Sequence, residues 1–255
     1  MSERENRGVL LLYKKLGETP SQSLLRFKAE NAKYAKTSLT YAGRLDPMAE
    51  GLLLVLSGDS IKEKDKYLGL QKTYEFEILW GFETDTLDTL GRVVKSGKCK
   101  VKSKDLEIQL NKSIGKFEQS YPAYSSKPVS GKPMFQWTRE GKFGEVNIPL
   151  HEVEIFRVSF ISRRIVSGAE LLKDIIAQVS LVSGDFRQKE ILERWAEVLA
   201  SDEEVEFTID RISITVSSGF YVRQFVSDVA TAFKTSATTF HIKRVKIGEY
   251  SVETV

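Results

Sequence analysis

The sequence predicts an α+β fold, and three observations lead there. Strand-like and helix-like segments follow one another in mixed order, without the regular strand–helix–strand rhythm that builds a parallel sheet. The longest apolar runs, around Val9–Tyr13 and Gly51–Leu56, are strand-length and far too short to cross a bilayer. The 255 residues are 41% hydrophobic and 29% charged, which suffices to bury a sizeable core in one domain or one and a fraction.

Taken in order, Gly8–Tyr13 reads as a short buried strand. Thr19-Pro20-Ser21 offers a cap and an early proline for a helix through about Lys33. After a polar loop containing Thr40–Pro47, the continuous apolar run Gly51–Leu56 suits a core strand. Ser60–Leu70 reads as a helix. In Thr73–Trp80, Tyr74, Phe76, Ile78 and Trp80 alternate with Glu75, Glu77 and Leu79, the pattern of a half-buried strand. Ser103–Ser113 looks helical. Pro122–Pro149 holds four of the six prolines, with glycines and aromatics, and reads as a long functional loop around a short helix.

Val153–Ile161 is strand-like, and Gly168–Leu199 shows two helical stretches. Beyond them Val205, Phe207 and Ile209 share one face, while Ile212, Ile214 and Val216 continue in the opposite phase. One added residue near Asp210-Arg211 would produce that change, so a β-bulge or turn is expected there. Tyr221–Phe233 is an amphipathic helix, and Phe240–Tyr250 closes the chain as a strand.

Composition excludes several classes. The N-terminal MSERENRG is charged and lacks the apolar core of a signal peptide. One cysteine, Cys99, makes no internal disulfide, and with only two histidines a protein-built zinc site is not expected. The expectation is a soluble, cytoplasmic, metal-free monomer. Net charge is +3, but residues 185–206 carry eight acids against three bases, a net of −5, which leaves +8 on the rest. Scattered surface lysines explain such a balance as readily as a polyanion-binding face does.

The densest chemical signal is Gly43-Arg44-Leu45-Asp46-Pro47-Met48-Ala49-Glu50-Gly51, running into Leu52–Leu56. Proline holds its predecessor out of the helical region. On residue chemistry alone two readings stand. Asp46 caps a short helix, or a rigid turn beside a core strand presents its carboxylate to a substrate.

The segment resembles the signature of the TruB family of pseudouridine synthases, approximately G-x-L-D-P-x-A-x-G. Further blocks come in the family's order: Lys72-Thr73-Tyr74, then Gly81 with Thr84-Asp85-Thr86-Leu87-Asp88 and Gly91. Pro122-Ala123-Tyr124-Ser125, Gly131-Lys132-Pro133-Met134-Phe135 and Arg139-Glu140-Gly141 resemble its tRNA-clasping loop. Ser218-Gly219-Phe220-Tyr221-Val222-Arg223 and His241-Ile242-Lys243-Arg244-Val245 resemble its last two blocks.

The resemblance implies a mixed, mainly antiparallel sheet with flanking helices, the pseudouridine synthase fold, over residues 1–255. It implies Asp46 as the catalytic carboxylate, Arg223 as its partner and Tyr74 as the ring against the uracil. Tyr41, Gly43, Lys72, Tyr221, Ile242, Lys132 and Arg139 fall at substrate-contacting positions. The implied partner is the T-arm of tRNA, with no cofactor, because the reaction is an isomerisation that needs no external group.

The chain departs from the family in several ways. Ser217 stands where a cysteine is frequent, and Ser218 precedes Gly219 directly where a residue usually intervenes. Tyr41 stands where a histidine is usual, residues 163–204 look like a helical insertion, and nothing after Val255 is left for a C-terminal PUA domain. The acidic part of the insertion is expected on the outer side, away from a polyanion. A synthase acting on another RNA, or a non-catalytic RNA-binding protein of the same fold, are the rival readings. The second has no need of Asp46, Tyr74 and Arg223 together.

Overall fold

The computed structural model describes residues 8–200 and 205–255. The charged N-terminal stretch and the acids Asp202, Glu203 and Glu204 lie outside the described residues. The chain begins with strand β1 (Val9–Lys14), helix α1 (Pro20–Glu30), β2 (Leu39–Ala42), β3 (Ala49–Ser57), α2 (Lys64–Gly69) and β4 (Lys72–Trp80). It continues through β5 (Phe82–Thr84), β6 (Val93–Ser96), α3 (Ser103–Lys112), β7 (Gly115–Ser120), the small hairpin β8 (Pro128–Val129) and β9 (Lys132–Pro133), and α4 (Met134–Arg139). The second half holds β10 (Leu150–Ser167), α5 (Gly168–Ser180), α6 (Gln188–Leu199), β11 (Glu206–Val216), α7 (Val222–Ala232), β12 (Ala237–Ile247) and β13 (Tyr250–Ser251).

The expected α+β architecture is present as one large sheet in the order β1-β3-β12-β4-β11-β10-β7, with β2 and β13 attached to β3 and β12. Every pairing in it is antiparallel except β3 with β12. That parallel pair lies mid-sheet because the two strands are far apart in sequence and nothing forces a hairpin between them. It sets Ile242 beside Ala49 and Arg244 beside Gly51. Gly51 is required there: at φ +108°, a Cβ would fall 2.3 Å from the Arg244 carbonyl oxygen.

Both faces of the sheet are covered. On one, α3 and α7 pack over Phe76, Ile78, Trp80, Ile212, Ile214 and Val216. On the other, α5 and α6 place Leu171, Ile175, Ile191 and Trp195 over Leu79 and Ile209. Helix α1 begins as its sequence dictates: Thr19 accepts from the Gln22 amide and Gln22 answers to the Thr19 amide, a capping box with proline at the first turn. It ends at Glu30, and residues 32–34 form a separate 3₁₀ turn.

Several sequence expectations are corrected. The polar loop at Thr40–Pro47 begins with strand β2, which pairs Tyr41 with Val55. The helix at Ser60–Leu70 is a 3₁₀ stretch, Gly58–Glu63, followed by α2. Residues 163–167, expected to open a helical insertion, continue β10, which is 18 residues long. The phase change in β11 is not a bulge, because its register with β4 runs unbroken from Ile209 to Val216. The strand exchanges one covering layer for another: Phe207 and Ile209 face α5 and α6, whereas Ile212, Ile214 and Val216 face α7. The irregularity lies on β10 instead, between Phe160 and Ser162.

Asp210 sits where the layers change. It is fully buried and satisfied by two fork bonds from Arg163, at 2.7 and 2.8 Å, and by the Trp80 indole N–H at 2.8 Å. Removing one partner of a buried ion pair leaves the other charge uncompensated. Asp210→Ala is therefore expected to cost about 3 kcal/mol in urea unfolding, and a loss under about 1 kcal/mol would show that the triad contributes little.

Candidate active site

Asp46 lies in the connection from β2 to β3. Its turn leads into a strand, so the reading of Asp46 as a helix cap fails. Its carbonyl accepts from the Ala49 amide at 3.0 Å, and the next carbonyl, Pro47, accepts from Gly17 N–H at 2.9 Å. These bonds tie the loop to the start of β3 and to the end of β1. The Asp46 side chain keeps 39% of its exposure, whereas its partner Arg223 keeps 3%. Arg223 Nε donates to Asp46 Oδ2 at 2.8 Å. The other carboxylate oxygen has no hydrogen-bond partner among the described residues.

Arg223 is positioned on the first turn of α7. Burial disfavours its charge, while Asp46 and Asp88 hold it, and the net effect keeps its pKa above the ordinary arginine value. Its NH1 donates to the Thr86 carbonyl at 2.6 Å and its NH2 to the Tyr124 carbonyl at 3.2 Å. Asp88 stands 3.7 Å from Nε. The Asp88 carboxylate accepts from Thr86 Oγ1 at 2.7 Å and from the Leu90 amide at 3.0 Å. Burial nevertheless pushes its pKa up to about 6, against the pull of Arg223. Thus one guanidinium joins the Asp46 turn, the Thr84–Asp88 turn and the start of the 122–149 loop.

The remaining expected residues divide into two groups. Tyr74 and Ile242 are buried in one apolar cluster with Leu45 and Ala49, beneath the Asp46 turn. Tyr221 is also at the site. Its backbone is clamped by Gln119, which accepts from the Tyr221 amide at 2.8 Å and donates to its carbonyl at 3.1 Å. Burial, with the Asp46 charge adding to it, raises its phenol to about 12. Tyr41 lies at the rim, where Arg44 donates to its hydroxyl at 3.2 Å and Lys64 sits 5.8 Å from its ring centroid. Gly43 takes φ +88°, and its carbonyl accepts from Arg244 at 3.2 Å.

Lys72, Lys132 and Arg139 make no hydrogen bond to Asp46 and are engaged by other groups. Lys72 is 5% exposed and donates to the Leu68 and Leu70 carbonyls, both at 2.5 Å. Lys132 pairs with Glu140 and sits 3.6 Å above the Trp137 ring. Arg139 donates to the Asp185 carbonyl at 3.2 Å. All three hold the scaffold in this structure.

Two residues escaped the sequence reading. Arg244 is 1% exposed, and its guanidinium donates to the carbonyls of Leu52 (2.8 Å), Arg44 (3.1 Å) and Gly43 (3.2 Å). Lys14 is fully buried and donates to the carbonyls of Ala49 and Lys15. Burial lowers its pKa to about 8, although Asp46 pulls the other way. The available signal was alternation: Lys14 continues Leu10 and Leu12, and Arg244 continues Phe240 and Ile242, so each falls on the buried side of its strand. Among the described residues no group of three or more His, Cys, Asp and Glu could hold a metal ion, and no helix is long and apolar enough to cross a membrane.

Fold and site together define an α+β enzyme in which a partly exposed carboxylate, Asp46, is held by a buried arginine. Residues 31–173, more than half of the chain, match the sequence model described as TruB family pseudouridylate synthase (N terminal domain). A tRNA pseudouridine synthase B of Aquifex aeolicus is 30% identical over 246 residues, covering 96% of this chain and 70% of its own. One from Malacoplasma penetrans is 28% identical over 222 residues, covering 86% of this chain and 77% of its own. The chain belongs to the TruB family of pseudouridine synthases. A solved Cbf5-Nop10-Gar1 complex shares the fold, with TM-score 0.59 and 13% identity over 96% of this chain and 50% of that one. This chain therefore spans about half the length of that structure's chain.

Lys72 gives a pH test of the scaffold. Burial lowers its pKa to about 8, and the Arg244 charge pushes the same way. A lysine depressed in the folded state contributes stability above its unfolded value, near 10.5, and loses it as pH falls through about 8. The stability of the protein relative to Lys72→Met should thus rise between pH 8 and 10.5 and stay flat below. The rise should be roughly 3 kcal/mol in urea unfolding. A constant difference across that window would show that Lys72 keeps its ordinary pKa.

Proposed function

We propose that this protein converts uridine to pseudouridine in the T-loop of tRNA, at position 55, with Asp46 as the catalyst and without a cofactor. The observation that carries the reading is the Asp46–Arg223 pair: a half-exposed carboxylate held through one oxygen by a buried guanidinium. The sequence blocks around both residues are those of the TruB family, and curated relatives are named tRNA pseudouridine synthase B. The protein acts in the cytoplasm as a monomer in this reading.

The chemistry stems from the two oxygens. With Oδ2 engaged by Arg223, Oδ1 is the atom free to react. The N1–C1′ glycosidic bond breaks, the uracil turns, C5 bonds to C1′, and the proton lost from C5 is balanced by one gained at N1, which completes the isomerisation. Asp46 serves as nucleophile or as base in that sequence, and the guanidinium of Arg223 holds it in place. Tyr74, whose hydroxyl has no hydrogen-bond partner among the described residues, supplies the ring against the base, and Ile242 packs on the other side. The target must leave its loop to reach them, at a cost of roughly a few kcal/mol. The aromatic and basic 122–149 loop supports that step by stacking and phosphate contact. Tyr41, flanked by Arg44 and Lys64, offers a further stacking surface at the rim.

Two substitutions test the assignment. Asp46→Asn should abolish conversion while tRNA affinity stays within about tenfold, since affinity comes mainly from phosphate contacts. Pseudouridine mapping after single turnover with purified protein reads conversion and position together. Appreciable activity in the variant would overturn the role of Asp46, and product elsewhere than the T-loop would overturn the substrate. Arg223→Lys keeps the charge but loses the planar fork that reaches Asp46, Thr86 and Tyr124 at once. It should slow the chemical step at saturating enzyme about a hundredfold, which is roughly 2.7 kcal/mol. A rate equal to the parent's would remove Arg223 as the orienting partner.

A further inference from the structure

The loop that joins α5 to α6 reaches the rim of the active site. Its residue Arg187 donates NH1 to Asp85 Oδ2 at 2.7 Å and NH2 to Oδ1 at 3.3 Å. The same guanidinium lies 4.9 Å from the centroid of the Tyr124 ring. Asp85 directly precedes Thr86, and Thr86 and Tyr124 are the residues whose carbonyls receive NH1 and NH2 of Arg223, at 2.6 and 3.2 Å. One arginine therefore grips the side chains of the two segments whose backbones hold the other.

The backbone gives no reason for an arginine at this position. Arg187 adopts φ 63°, ψ 26°, the left-handed conformation, at the N-cap of α6, and makes no capping hydrogen bond there. Glycine and asparagine adopt that conformation at lower cost, and Asn, Asp and Ser are the preferred caps. A strained residue persists where surrounding contacts over-determine it, and here those contacts run to the Thr84–Asp88 turn and to Tyr124. The loop itself is fixed on either side. Gln22 donates to Ser183 at 2.6 Å, Arg139 donates to the Asp185 carbonyl at 3.2 Å, and Gln188 donates to the carbonyls of Val182 (2.9 Å) and Gly184 (2.8 Å).

We infer that Arg187 is a positioning residue for the isomerisation: by clamping Asp85 to Tyr124 it fixes the two carbonyls that aim Arg223 at Asp46. The helical segment 168–199 is on this view part of the catalytic apparatus. This rests on the Asp46–Arg223 reading above. It also revises the expectation that the acidic segment stays on the outer side, since its connecting loop lies at the mouth of the site.

The test separates positioning from architecture and from RNA contact. Arg187→Gly suits the left-handed backbone better than arginine, so its melting temperature should equal or exceed the parent's. Its single-turnover rate at saturating enzyme should fall about tenfold or more, while tRNA affinity by filter binding stays within about threefold. Arg187→Gln keeps the native cap strain and loses the fork, and should show the same rate loss. Because Arg187 acts through Asp85, adding Asp85→Asn to either variant should slow it little further. An unchanged rate in both variants would overturn the inference, and weakened affinity with an unchanged rate would make Arg187 an RNA contact instead. Asp46→Asn measured alongside keeps the two readings apart. Turnover in that variant sinks the Asp46 assignment and the inference with it, whereas an inactive Asp46→Asn beside fully active Arg187 variants sinks the inference alone.

Discussion

The guanidinium of Arg223 is the constraint on which the site depends. It is nearly fully buried and meets four groups from three loops: a carboxylate at Asp46, carbonyls at Thr86 and Tyr124, and a second carboxylate at Asp88. A buried charge without such partners would cost several kcal/mol, so the three loops are obliged to meet wherever Arg223 is placed. Helix α7 places it. The apolar stripe Phe225, Val226 and Val229 seats that helix on the central sheet, and Gln119 pins the entering chain at Tyr221. The geometry of one carboxylate thus depends on the packing of a helix against a sheet.

The Asp46 turn imposes a second demand. Its backbone is irregular, so its carbonyls find no ladder partners and would be orphaned under the rim. Arg244 answers for Gly43 and Arg44, and Lys14 for Ala49. Both reach the turn from strands adjacent to β3, and Arg244 can do so because β12 runs parallel to β3 at that point. The parallel pair in an otherwise antiparallel sheet is therefore tied to the support of the Asp46 loop.

Strands were legible in the sequence wherever one phase carried the apolar residues, as in β4. Its alternation of Tyr74, Phe76, Ile78 and Trp80 reads as the face under α7, although Leu79 is buried on the other face under α5 and α6. The reading failed at β11, where two layers cover opposite faces in succession and periodicity alone suggests an inserted residue. At the site, Asp46 and Arg223 were legible as sequence blocks, but their supports were not. Lys14, Lys72, Asp210 and Arg244 each occupy the buried phase of an apolar alternation, where a charged residue ordinarily argues against burial. Their partners are mostly main-chain carbonyls set by tertiary contacts, which no local pattern encodes. Lys72 is supported in the same way, since its ammonium donates to the Leu68 and Leu70 carbonyls. Arg187 was invisible as a site residue because it sits in a segment read as peripheral and contacts Asp85 across 102 positions.

The division of labour between the buried cations reflects their chemistry. Lys14 and Lys72 are both driven by burial toward pKa values of about 8, so their charge is already weakened just above neutrality. Each needs only to donate to carbonyls, which a neutral amine can still do in part. The groups that touch the carboxylates are arginines, whose charge survives the same burial. Arg223 meets Asp46, and Arg187 meets Asp85. A lysine in either place would risk neutralising beside a carboxylate that needs its charge, and would offer no fork to join two loops. Arginine at Asp46 thus keeps its charge under burial, whereas the carbonyls beneath the loop accept from either kind of cation, Arg244 or Lys14.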